Sequence, residues 1–181
     1  MKRSRLLCGT IAILLACVVL CPAQEADFGV RGGYQRFRAA GDGAVLGGLF
    51  FRKDWQRVVF WEAAILYHTE EVDDIDVELI PLQLSAMLFL LGRDEAICPY
   101  ILGGAGVYMV RTTEPGDDSE SEYDFGWHLG IGFDYTLTPK MFVEADVRYI
   151  WLDVDTGGGT VADAVSDFDN WMATVGFGFR L

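Results

Sequence analysis

Eight residues whose types could do chemistry share one setting. Arg31, Glu62, His128, Asp134, Glu144, Asp146, Arg148 and Arg180 are each flanked by glycine, aliphatic or aromatic residues. Cations and carboxylates interleaved with apolar residues support two kinds of chemistry. They can form a buried ion-pair network, in which removing one partner costs about 3–5 kcal/mol. Alternatively they can line a gated path for protons or ions. The hydrolytic alternative needs a nucleophile, a base and an orienting group in contact. His128-Leu129-Gly130 offers no serine two residues on. Thr69 adjoins His68, so on a strand the two would point to opposite faces. No enzymatic activity and no cofactor are expected, and His128 is read as an interior hydrogen-bonding group. Cys98 is read as a small apolar filler, with no base in sight to make it a nucleophile.

The elements that must carry these residues have a period of two. From Tyr123 to Leu137 the odd positions are Tyr, Phe, Trp, Leu, Ile, Phe, Tyr and Leu. The even positions are Asp124, Gly126, His128, Gly130, Gly132, Asp134 and Thr136. Successive strand side chains point to opposite faces, so one face is large and apolar and the other small or polar. The same pattern runs through 27–35, 59–68, 141–151 and 170–181. Ala44–Lys53 and Pro99–Arg111 are glycine-rich and fit either facing. Val77–Leu91 is apolar on both faces, with Gln83 and Ser85 marking the inner side. Eight strands result.

A soluble ligand-binding barrel also alternates, with its apolar side inward. Two features favour the inverse arrangement. The polar face is poor in Lys, Glu and Thr and holds glycines suited to a crowded interior. Tyr123, Tyr135, Tyr149, Trp151 and Trp171 lie towards strand ends on the apolar face, as membrane-interface girdles require. Lipid offers no partner to an open sheet edge, so the sheet must close. The expected fold is all-β, a closed eight-stranded antiparallel up-and-down transmembrane β-barrel.

The amino terminus reads as an export signal. Lys2, Arg3 and Arg5 precede an apolar run from Leu6 to Leu20, and Cys21-Pro22-Ala23 supplies a small-residue cleavage site. The expected division is a signal peptide over 1–23 and a barrel domain over 24–181. A second route stays open, because Leu14-Leu15-Ala16-Cys17 resembles a lipobox and would lipidate Cys17. Cleavage after Ala23 takes away three of the 14 basic residues and none of the 27 acidic ones, moving the formal charge from −13 to −16. A nucleic-acid partner is not expected of so acidic a chain. Of the four cysteines Cys98 alone would remain, so no internal disulfide can form.

Short connections at 53–56, 92–95 and 137–140 alternate with longer ones at 69–76, 111–122 and 153–167; the short link 39–43 belongs with the second class. Outer-membrane barrels have short periplasmic turns and long extracellular loops, which places both termini in the periplasm. The longer connections are acidic, through Glu70, Glu71, Asp73, Asp74, Asp76, Glu114, Asp117, Asp118, Glu120, Glu122, Asp153, Asp155, Asp163 and Asp167. Arg52, Lys53, Arg57, Arg93 and Lys140 mark the other rim. The loop charge reads as a solvated, repulsive surface or as weak divalent-cation binding; no segment has EF-hand spacing, and no metal residue is assigned.

With these residues in place, the chain resembles the eight-stranded outer-membrane β-barrel family, the group of the OmpA membrane domain and OmpW. The resemblance runs through Asp124–Tyr135, Leu137-Thr138-Pro139, Phe142–Tyr149, Ile80-Pro81-Leu82, Pro99–Gly106 and the ending Val175–Leu181. That ending is similar to the signal such proteins present to the barrel-assembly machinery, with Leu181 where Phe or Trp is usual. Members of the family include structural anchors, adhesins, small pores and immunity-evasion proteins. The resemblance therefore implies a monomer in outer-membrane lipid, with a structural or surface-interaction role and a host or surface ligand at the acidic loops. The alternative it leaves open is a narrow channel or carrier for small solutes or small apolar molecules, in which Leu66, Phe89 and Met109 would line a pocket near the outer rim. No peptidoglycan-binding segment is read after the barrel, so an OmpA-type cell-wall tether is not expected.

Overall fold

The computed structural model describes residues 25–36, 43–56, 58–72, 75–93, 95–113, 120–153 and 169–181. The proposed signal with Cys17 and Ala23, Arg57, and the acidic residues at 73, 74, 114, 117, 118, 155, 163 and 167 lie outside the described residues. The alternating segments form eight strands: β1 (Ala26–Arg36), β2 (Gly43–Gln56), β3 (Val59–Val72), β4 (Ile75–Phe89), β5 (Ile97–Thr113), β6 (Glu120–Thr138), β7 (Met141–Asp153) and β8 (Asp169–Arg180). Each pairs antiparallel with the next, and β1 pairs with β8 from Asp27↔Arg180 to Arg36↔Trp171, closing the barrel.

Closure sorts the two side-chain sets. On β6, Trp127 and Ile131 are 58% and 66% exposed, whereas His128 and Asp134 are buried. The wall is apolar outside and polar inside, the inverse of a soluble barrel. The glycine-rich strands now have a facing: Leu46, Gly48, Phe50 and Arg52 of β2 point inward, as do Tyr100, Leu102 and Tyr108 of β5. Gln83 and Ser85 lie on the inner face of β4.

The strands run further into the connections than the sequence reading has them. The expected turn at 53–56 is strand: Asp54 accepts the Glu25 N–H at 3.1 Å through Oδ1 and donates its own N–H to the Glu25 carbonyl, and a bulge lies between Asp54 and Gln56. The expected loop at 69–76 is mostly a β3–β4 ladder, continuing to Val72↔Ile75. Polar composition misled there, because paired backbone needs no apolar side chains once the hairpin leaves hydrocarbon.

The interior is layered along the axis. Its loop-proximal half holds an apolar cluster of Leu46, Leu66, Leu79, Tyr108, Ile150 and Met172. Nearer the chain termini and short turns lie Phe60, Met87, Phe89, Cys98, Tyr100 and Leu102, with Phe50, Ala64 and Phe142 beside them. Leu66, Phe89 and Met109 do not line one pocket. Leu66 belongs to the first cluster and Phe89 to the second, while Met109 stands half-buried on the outward parity of β5. The parity of two controls facing, and Met109 shares the parity of outward Ile101.

Candidate functional site

The charged residues converge between these apolar layers because register leaves them no other arrangement. On β6 and β7, Asp134 lies directly opposite Glu144. Like charges in that position repel unless a cation joins them. Arg52 joins them: its guanidinium donates to Asp134 Oδ1 at 3.0 Å, to Glu144 Oε2, and through Nε to Glu62 Oε2 at 2.8 Å. Arg52 is fully buried, with its guanidinium 4.8 Å from the centre of the Phe50 ring and 5.5 Å from that of Tyr100.

Glu62 is the opposite hub. It accepts from Arg52, from Arg31 Nη1 at 3.0 Å and from Arg148 Nη2 at 2.8 Å. Arg31 also reaches Glu144 Oε1 through Nε at 2.9 Å. Arg148 holds Asp146 Oδ1 at 2.9 Å and the Gln83 side-chain carbonyl at 3.0 Å. The side chains of Arg31, Arg52, Glu62, Asp134, Glu144, Asp146 and Arg148 are all at 0% exposure in these pairs. Small residues opposite make room for them. A Cβ on Gly176 would lie 2.8 Å from Glu144 Cγ, and one on Gly132 would lie 2.6 Å from the Tyr100 ring and hydroxyl.

Of the eight residues singled out from the sequence, six meet: Arg31, Glu62, Asp134, Glu144, Asp146 and Arg148. Two stand apart. Arg180 donates to Thr136 Oγ1 at 2.9 Å and lies 5.5 Å from the Phe142 ring centre, outside the ion-paired cluster. His128 bonds through Nε2 to Ser85 Oγ at 2.8 Å, while its Nδ1 makes no hydrogen bond. A serine beside His128 is something sequence proximity did not offer, since Ser85 lies 43 positions away. The pair is buried inside the barrel, and its imidazole lacks the orienting carboxylate a nucleophile–base system uses. His68 rests its Nδ1 2.7 Å from the Val45 carbonyl oxygen.

Sequence reading missed Arg52, Arg93 and Asp27. As basic residues at element ends Arg52 and Arg93 read as rim residues, and both instead turn inward. Arg93, on the β4–β5 turn, donates to Asp27 Oδ2 at 2.6 Å and approaches Asp134 Oδ2 at 3.7 Å, its guanidinium 4.6 Å from the Phe60 ring centre. For Arg52 the signal was its parity with Phe50 once β2 is faced. For Arg93 strand parity offers none, because a turn has no alternating faces. With these additions, four arginines face five carboxylates. Among the described residues no group of His, Cys, Asp and Glu is arranged to hold a metal ion.

An apolar-out, closed, eight-stranded wall around buried charge defines a membrane-spanning β-barrel. Residues 10–180 match the model of the outer membrane protein beta-barrel domain, and the chain belongs to that family. Its place is accordingly the bacterial outer membrane. Solved structures with the same fold include neisserial surface protein A (TM-score 0.63, 12% identity, covering 87% of this chain and 95% of that one). The N-terminal β-barrel domain of Pseudomonas aeruginosa OprF is similar at TM-score 0.58 and 17% identity, covering 86% and 97%. Ail of Yersinia pestis, in complex with the heparin analogue sucrose octasulfate, is similar at TM-score 0.54 and 18% identity, covering 87% and 97%. No curated protein sequence matches the chain.

Proposed function

We propose that this protein is a non-enzymatic outer-membrane barrel with a structural or surface-interaction role, and that its lumen is plugged. The observation that carries the reading is Glu62 held by three arginines at 0% side-chain exposure, beneath the apolar layer around Leu66. An ion entering the lumen would first meet that apolar layer, then a cluster whose charges already hold one another. Arginine does not give up its proton in proteins, so a relay through Arg31, Arg52 or Arg148 has no titrating step. Single-channel recording in planar bilayers tests this. No conductance steps are expected, and steps that scale with added protein would overturn the plug and favour the narrow-channel reading.

Orientation follows from connection length and charge. Short turns and both termini face the periplasm, and the acidic connections face outward. Ail is solved with a polyanion, but fourteen carboxylates in the outer connections of this chain oppose that ligand class. A partner of basic surface fits better, since complementary potential steers encounter and like charge rejects it. In assembly, the Val175–Leu181 strand would be presented to the barrel-assembly machinery.

A further inference from the structure

At the loop end the sheet keeps growing on one side of the barrel. The β3–β4 ladder runs to Val72↔Ile75, the β4–β5 ladder to Asp76↔Thr113 and the β5–β6 ladder to Thr112↔Glu120. The β2–β3 ladder stops short. Its last pair is Gly47↔Tyr67, although β2 starts at Gly43 and β3 continues to Val72. A side chain, not a further backbone rung, links the two strands beyond that pair: His68 Nδ1 lies 2.7 Å from the Val45 carbonyl oxygen. Thr69–Val72 is thus a strand edge, paired with β4 on one side and, among the described residues, with no part of β2 on the other. Thr69 is exposed. Tyr67 and Tyr123, on the outward faces of β3 and β6, mark the interface girdle just below this edge. The edge therefore stands outside hydrocarbon, where unpaired backbone groups are allowed.

An open edge offers a row of backbone donors and acceptors to another chain, and an extended peptide that adds as a strand satisfies them. The residue types on this edge restrict which chain can do so. Glu70 and Glu71 stand at its centre. Glu78, opposite Thr69 on β4, is already met by Arg111 at 3.8 Å, so the selecting charge belongs to Glu70 and Glu71. Like charges facing each other across strands are destabilising, which rejects the same edge of a second copy. We propose that the Thr69–Val72 edge takes an extended, lysine- or arginine-rich segment of a partner protein as an added strand. The backbone supplies the bonds and the two carboxylates choose the charge. Access to that partner rests on the surface role and orientation proposed above; the edge itself does not.

Amide hydrogen exchange, read by NMR on the folded full chain in a zwitterionic detergent, tests the site. The probe is a synthetic peptide of about nine residues alternating lysine with threonine, long enough to overhang the edge at both ends. At saturating peptide, amides within Thr69–Val72 should exchange about tenfold more slowly. Those of Glu62–Ile65, paired on both sides, should not change. The same peptide N-methylated at alternate residues keeps its side chains and charge but loses the donors of one edge, and it should give no protection. Glutamate in place of lysine should also abolish the effect. Glu70→Lys with Glu71→Lys should weaken binding of the lysine peptide about tenfold. Heat-modifiable gel mobility establishes that this variant is folded, and the peptide series carries the test if it is not. Unchanged exchange with the lysine peptide, equal protection by its N-methylated form, or undiminished binding to the folded double variant would each overturn the proposal. Labelling of Thr69→Cys by a membrane-impermeant maleimide on intact cells is expected. Its failure would overturn the orientation while leaving the peptide result standing.

Discussion

The two halves of the barrel interior solve the same problem by opposite means. Towards the short turns, four arginines and five carboxylates share the lumen with aromatic side chains and pack against Phe50, Phe60 and Phe142. Towards the loops, Leu46, Leu66, Leu79, Ile150 and Met172 fill it with hydrocarbon around the Tyr108 ring. Both halves are built on the same strands and bury their contents almost completely. The charged half depends on every partner being present, because a buried charge left alone is costly. The apolar side chains of the other half depend on volume, and their losses are graded. Specificity of pairing therefore resides near the turns, and tolerance to substitution nearer the loops.

The sharpest break in this comparison is at the carboxylate hub. Glu62→Ala takes one carboxylate partner from each of three arginines and breaks the buried network, and urea unfolding in detergent should show a loss of about 3–5 kcal/mol. Changing Glu62 and Arg148 together to methionine should cost less than Glu62→Ala alone, since an apolar replacement of a buried pair is often neutral. In the other half, Leu66→Ala should cost about 2–5 kcal/mol by the same measurement. It should leave planar bilayers silent, because the charged layer still fills the lumen; conductance in that variant would show that the apolar layer is the seal. Smaller still, Ser85→Ala leaves His128 Nε2 buried without its partner, for a loss of about 1–3 kcal/mol. At the exposed margin, Arg111 lies 3.8 Å from Glu78 on the outer surface, and Arg111→Ala should cost under about 1 kcal/mol and less at high salt.

Much of the barrel was legible because period two is a local property. The run from Tyr123 to Leu137 declares both a strand and its two faces without reference to any other segment, and the β7 and β8 patterns do likewise. β2 did not, because Ala44–Lys53 mixes Gly, Leu and Phe on both parities and hides which set holds Arg52. The candidate site was legible as a set of inward charges but not as a wiring. Which carboxylate Arg148 would take, or that Arg180 would turn to Thr136, follows from contacts across the lumen between residues up to 113 positions apart.

The sequence by itself determined that alternating segments make a two-faced wall, that the wall must close, and that charges at inward positions must share a small interior. Only the tertiary structure decided that Arg52 and Arg93 leave the rim for that interior, that Glu62 becomes the hub, and that Ser85 meets His128. Arginine is long enough for its head to lie far from its backbone position. Where the head rests depends on the register of all eight strands at once, because only the closed barrel brings β1, β2, β3, β6 and β7 within reach of one another.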